Sequence, residues 1–80
     1  MQAIFVMVKC ELGHAYDVAN SMVDTVEYVS EVYSTSGQYD LLVKCYLPAG
    51  EDVGRFVTGD LQTLAGVKDT YTIVTYNAFT

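Results

Sequence analysis

Apolar residues recur along this chain at two different spacings, and each change of spacing marks an element. Over residues 2–10 the spacing is two. Ile4, Val6, Val8 and Cys10 fall on one side, and Ala3, Phe5 and Met7 on the other. That is the pattern of a strand apolar on both faces, and Glu11-Leu12-Gly13 interrupts it. From His14 the spacing becomes helical: Ala15, Val18, Ala19, Met22, Val23 and Val26 share one stripe, with Asp17, Asn20, Ser21 and Asp24 opposite. Residues 29–36, rich in β-branched and hydroxyl side chains, predict a second strand. Gly37-Gln38-Tyr39-Asp40 predicts a hairpin turn, because glycine takes a positive φ freely and aspartate accepts from nearby backbone amides. A third strand is predicted from Leu41 to Leu47, ended by Pro48-Ala49-Gly50. Val53, Phe56, Val57, Leu61 and Leu64 predict a second helix. Gly54 and Gly59 weaken it by on the order of 1 kcal/mol each relative to alanine. Residues 67–77 predict the last strand.

The two halves repeat at a constant offset of 38 residues. Val18 matches Phe56, Ala19 matches Val57, Val23 matches Leu61 and Val26 matches Leu64. Beyond the helices, Val29 matches Val67, Glu31 matches Asp69, Tyr33 matches Tyr71 and Ser34 matches Thr72. Each half is therefore a β-α-β unit. Two such units with right-handed crossovers and a central hairpin predict an α+β fold, the ferredoxin-like split β-α-β. Its antiparallel sheet has four strands in the order 4-1-3-2, with both helices on one face. The whole chain, residues 1–80, reads as one domain.

The other face of such a sheet has no helix over it, and strand one is apolar on that side too. Half of the 80 residues are apolar, more than one small core hides, because a chain this short buries only a little over half of its unfolded surface. A second copy is the expected cover, in a sheet-to-sheet dimer. A standard interface removes roughly 800 Å² per partner.

Ten acidic residues stand against four basic ones, for a net charge of −6. Such a surface repels phosphate backbones and anionic membranes, so no direct nucleic-acid or membrane contact is expected. No stretch approaches the roughly 18–20 apolar residues of a membrane span. Met1-Gln2-Ala3-Ile4-Phe5 has no basic region ahead of an apolar run, and the expected compartment is the cytoplasm. Two cysteines and one histidine fall short of the roughly four ligands of a zinc site, so neither metal nor cofactor is expected. Cys10 and Cys45 read as reduced core thiols. Strand-one and strand-three positions of this fold can approach each other, and the sequence leaves their separation open.

Catalytic chemistry has little to build on. His14, at the predicted start of helix one, has no serine or cysteine motif to pair with and reads as solvated. Glu51 and Asp52 stand where negative charge suits the dipole of the second helix. The glycines are too widely spaced for a phosphate loop. The tyrosines lack an accompanying basic strip and read as interface and core filling. No catalytic residue is expected.

One segment has unusual chemistry. Ser36-Gly37-Gln38-Tyr39-Asp40 combines backbone amides freed by a turn, a phenol and a carboxylate within five residues. Such a set suits a zwitterion: amides and hydroxyl take its carboxylate, and Asp40 pairs with its ammonium. An ordinary hairpin turn carries the same residues, and physics alone leaves both readings open.

The same residues carry a resemblance. Val32-Tyr33-Ser34-Thr35-Ser36-Gly37-Gln38-Tyr39-Asp40-Leu41-Leu42 resembles the V-Y-x-x-(T/S)-G-x-Y-D-L-L signature of the Lrp/AsnC family, in its C-terminal effector-binding domain. Leu64-Ala65-Gly66-Val67-Lys68-Asp69-Thr70-Tyr71-Thr72 resembles that domain's second signature, L-x-G-V-x-x-T-x-T. The resemblance covers nearly the whole chain. It implies the fold derived above, sheet-to-sheet dimers that often assemble further into octameric rings, and a small-molecule effector, typically an amino acid, bound between subunits. Carried onto this sequence, it implies ligand contacts from Gly37, Tyr39 and Asp40, with Ser36 and Gln38 in the same turn. Thr70 and Thr72 fall where the last strand lines the neighbouring side of the pocket. Full-length members carry an N-terminal helix-turn-helix domain, and this chain starts at the first strand, so it resembles stand-alone versions. Two routes to regulation are implied: acting as an effector-binding oligomer, or mixing with full-length relatives. Two other readings stand beside this one: a small dimeric ferredoxin-like enzyme of monooxygenase or isomerase type, and a purely structural partner of a full-length regulator.

Overall fold

In the computed structural model, which describes residues 1–79, the elements run in the predicted order. They are β1 (Gln2–Cys10), α1 (Ala15–Thr25), β2 (Val29–Ser34), β3 (Leu41–Leu47), α2 (Val53–Phe56) and β4 (Val67–Val74). All strand pairs are antiparallel. The sheet order is β2-β3-β1-β4, which is the predicted 4-1-3-2 read from the other edge. β1 lies inside the sheet because both of its sides are apolar; β2 and β4 form the edges.

The register sorts the side chains into two layers. Ile4, Val6, Val8 and Cys10 of β1 lie beside Leu41, Val43, Cys45 and Leu47 of β3, and all are buried. Val18, Met22 and Val26 of the α1 segment and Phe56, Val57 and Leu61 of the second helix complete this core. Tyr28 packs its ring 5.5 Å from that of Phe56. Among the described residues no polar or charged residue is buried.

The second helix departs from the predicted continuous stripe. α2 is one turn long, and Val57–Leu61 continues it as a π-helical turn. The Gln62 amide donates five residues back, to the Val57 carbonyl at 2.9 Å. Gly54 and Gly59 leave this backbone easy to unwind. The Thr58 and Thr63 hydroxyls donate to the Gly54 and Gly59 carbonyls, at 2.9 and 2.7 Å, and bond the backbone from the side. A π turn holds one extra residue. The 38-residue match between Val23 and Leu61 therefore fails in space: Val23 is 62% exposed and Leu61 0%. Met22, also 0% exposed, is the buried counterpart of Leu61.

The separation of the thiols follows from the register. Cys45 lies opposite Ile4, six residues along β1 from Cys10, so the two stand about 20 Å apart at strand rise. Both are free and buried. Burial pushes the Cys45 thiol up to about 11.

Two outcomes are expected. Leu61→Ala costs about 2–5 kcal/mol in urea denaturation, whereas Val23→Ala stays within about 0.5 kcal/mol. For Cys45, the unfolded chain releases the thiol proton first as pH rises. Its contribution to stability is therefore complete below the ordinary thiol range and is lost as pH rises towards about 11. Urea curves at pH 7 and pH 10 register this as a steeper fall for the native sequence than for Cys45→Val.

Candidate functional site

The C-terminal end of β1 holds both signature segments through two successive amides. The Cys10 amide donates to Asp40 Oδ2 at 2.8 Å. The next amide, of Glu11, donates to the Gly66 carbonyl, also at 2.8 Å. Gly66 has φ +93°, and a Cβ there would lie 2.8 Å from Val18 Cγ2, so this position requires glycine on both counts.

The turn itself is built by short-range bonds. Thr35 donates its amide to the Asp40 carbonyl at 2.9 Å and its hydroxyl to the Tyr39 carbonyl at 2.8 Å. These bonds end β2 at Ser34, two residues before the predicted limit. The Asp40 amide donates to the Val8 carbonyl at 2.9 Å and ties the turn to β1. Gly37 takes φ +117°, the positive value the turn needs. Between Thr35 and Asp40, the amides of residues 36–39 donate to no backbone acceptor among the described residues.

Asp40 accepts from a backbone amide, as its turn predicts, but from one thirty residues away. One of its carboxylate oxygens anchors the end of β1, so the side chain first serves the turn's own position. Its charge adds to burial in raising the Cys10 thiol, burial being the larger cause.

Ser36, Gly37, Gln38, Tyr39 and Asp40 thus stand together. Thr70 and Thr72 do not join them within one chain. In register they face Val8 and Val6, on the helix side of β4, and the Thr70 hydroxyl accepts from Gln62 Nε2 at 2.7 Å. β1 lies between Thr70 and the turn, so about two strand spacings, or ~10 Å, separate them.

Two residues absent from the sequence expectation border the turn instead. Lys9 Nζ donates to the Gln38 carbonyl at 3.2 Å. The Tyr39 ring stacks with that of Tyr71, with centroids 6.3 Å apart. Lys9 and Tyr71 belong to the sheet face that no helix covers, where Tyr71 pairs with Met7 and Asp69 with Lys9. The turn is therefore at the rim of that face. Only the register between β1 and β4 brings these groups together. Tyr71 stands in the second signature and in the repeat match with Tyr33, whereas Lys9 had no sequence signal.

His14 is exposed at the start of α1, its Nδ1 3.4 Å from Asp17 Oδ2. It lines an open hollow of about 390 Å³ with Glu11, Asp17, Ser21, Ala65 and Gly66. Asp52 caps α2 by accepting the Arg55 amide at 3.0 Å, the role its place before the helix suggests. Among the described residues no group of His, Cys, Asp and Glu is arranged to hold a metal ion.

Replacing Asp40 with alanine leaves the Cys10 amide without its acceptor. The expected cost is about 1–3 kcal/mol in urea denaturation. Hydrogen exchange at Cys10 should accelerate more than at Val6, in the middle of the strand.

The comparisons with known proteins agree with this architecture. A model of the Lrp/AsnC ligand binding domain matches residues 3–80. The HTH-type transcriptional regulator FL11 of Pyrococcus horikoshii is 35% identical over 71 residues, covering 88% of this chain and 45% of that protein. FL11 of Pyrococcus abyssi is 31% identical over 70 residues, with the same coverage. The chain thus spans about half the length of the curated relatives it matches. TTHA0845 from Thermus thermophilus superposes with a TM-score of 0.84 at 28% identity, over 100% of this chain and 99% of its own. A regulator from Neisseria meningitidis, solved as a complex with L-Met, shares the fold with a TM-score of 0.81 at 18% identity, over 99% of this chain and 52% of its own. With a family match from residue 3 to residue 80 and two FL11 relatives above 30% identity, this chain belongs to the Lrp/AsnC ligand-binding domain family.

Proposed function

We propose that this chain is an effector-binding and assembly domain of transcriptional or metabolic regulation. It binds an amino acid or a similar small effector at the turn of residues 36–40, and it pairs sheet to sheet with a second copy. The observation that carries this reading is the position of the turn. Backbone amides without internal acceptors and a stacked tyrosine pair stand at the rim of an uncovered sheet face. A second copy on that face encloses the rim and makes a pocket between subunits.

In this reading the amides of Ser36, Gly37 and Gln38 take the effector's carboxylate, and Tyr39 walls the pocket. Asp40 holds the turn through Oδ2, and Oδ1, which takes no hydrogen bond among the described residues, meets the ammonium group. Thr70 and Thr72, on the helix side of β4, lie outside a pocket formed on the uncovered face.

Charge supports self-association on the uncovered face. That face carries Lys9, Lys44, Glu31 and Asp69 and is formally neutral. Most of the other acidic residues lie elsewhere and carry the bulk of the −6. Two copies therefore meet there with little net repulsion. Phe5, Met7, Leu42 and Ile73 supply apolar area on the same face.

A binding domain is favoured over a small ferredoxin-like enzyme by the filling between sheet and helices. Such an enzyme needs a polar cavity there, and this space is packed with buried apolar side chains. Among the described residues no helix is long and apolar enough to cross a membrane. A cytoplasmic role alongside full-length Lrp/AsnC regulators fits the family.

Calorimetry and thermal shift with each of the twenty amino acids test the effector. At least one is expected to bind and to raise the melting temperature. A well-folded oligomer that responds to none of them would sink the effector-binding part.

A further inference from the structure

The uncovered sheet face carries a charged pair where β3 meets the edge strand β2. Lys44 stands opposite Phe5 of β1 and Glu31 of β2. Its Nζ lies 3.7 Å from Glu31 Oε2, 5.1 Å from the centroid of the Tyr46 ring and 6.0 Å from that of Phe5. The Tyr33 hydroxyl donates to Glu31 Oε1. Lys44 is itself only 26% exposed along its side chain. Tyr46 and then Glu31 push the Lys44 ammonium up, and the bond to Glu31 pushes the Tyr33 phenol up. Each charge already has partners within its own chain.

That arrangement matters when the face is covered. Drying an unpaired charge costs several kcal/mol, and drying a paired one costs far less. A face that is only apolar accepts any apolar partner. A face that also carries paired charges accepts a partner only if the charges still balance once water has left.

We propose that the Glu31–Lys44 pair selects the partner on this face, and that the partner it selects is a second copy of this chain. The inference rests on the sheet-to-sheet pairing proposed above. A second copy brings the same neutral pair, so neither charge is left unbalanced. A partner with an additional acid or base there places like charges together in a drying interface, which costs several kcal/mol.

Sedimentation velocity at about 150 mM salt tests this with the native chain, Glu31→Lys, Lys44→Glu and an equimolar mixture of the two variants. Glu31→Lys makes the face net positive and Lys44→Glu makes it net negative. The native chain is expected to dimerise, and each variant alone to do so at least about tenfold more weakly, about 1.4 kcal/mol. The mixture should recover most of the lost affinity. That recovery excludes misfolding of either variant as the cause. Variants that dimerise as tightly as the native chain would overturn the selecting role and leave the sheet-to-sheet reading standing. A mixture no tighter than its separate components would overturn charge balance as the basis of selection. A native chain that stays monomeric at every concentration would remove both readings together.

Discussion

The structure depends on a central strand whose two faces both need to be dry. Ile4, Val6 and Val8 point into the helix layer, and Phe5 and Met7 point the other way. Two short helices cover one side of a four-stranded sheet and no more. Everything on the helix side follows from closing that layer: Val18 and Met22 from α1, and Phe56, Val57 and Leu61 from the second helix. The other side is left for a different solution, with tyrosines, apolar residues and two lysine–carboxylate neighbours sharing the surface.

The end of the same strand organises the candidate site. Two consecutive amides, of Cys10 and Glu11, reach the Asp40 carboxylate and the Gly66 carbonyl. Segments far apart in sequence are thereby held against one backbone. Lys9 and Tyr71 then place the turn against the uncovered face rather than the core. A disturbance at Asp40 is therefore felt at the end of β1, and one at Gly66 is felt in α1 through Val18.

The duplication made most of the fold legible. Alternation identified the strands, and the match of Val29 with Val67 and of Tyr33 with Tyr71 identified equivalent edge strands. The exception was residue 61. A self-comparison at constant offset has no means of seeing a π turn, because the extra residue is absorbed in hydrogen bonding and not in sequence length. The site was legible in part. Gly37 takes the positive φ its turn requires, but the Asp40 carboxylate bonds to an amide thirty residues away, which depends on strand register. For the same reason Cys10 and Cys45, open as a close pair in the sequence, lie at opposite ends of the sheet.

In the proposed sheet-to-sheet pairing, the division of charge between the two layers bears on how fast two copies meet as well as on how tightly they hold. With most of its net charge outside that face, the chain repels a second copy in most orientations of approach. The encounters that this pairing favours are those already turned face to face. At physiological ionic strength the screening length is about 8 Å, shorter than the 18 Å smallest dimension of the molecule. The filter therefore acts in the last stage of approach. Dissolved salt becomes a control on the rate of assembly, by admitting orientations that the bare acidic surface turns away.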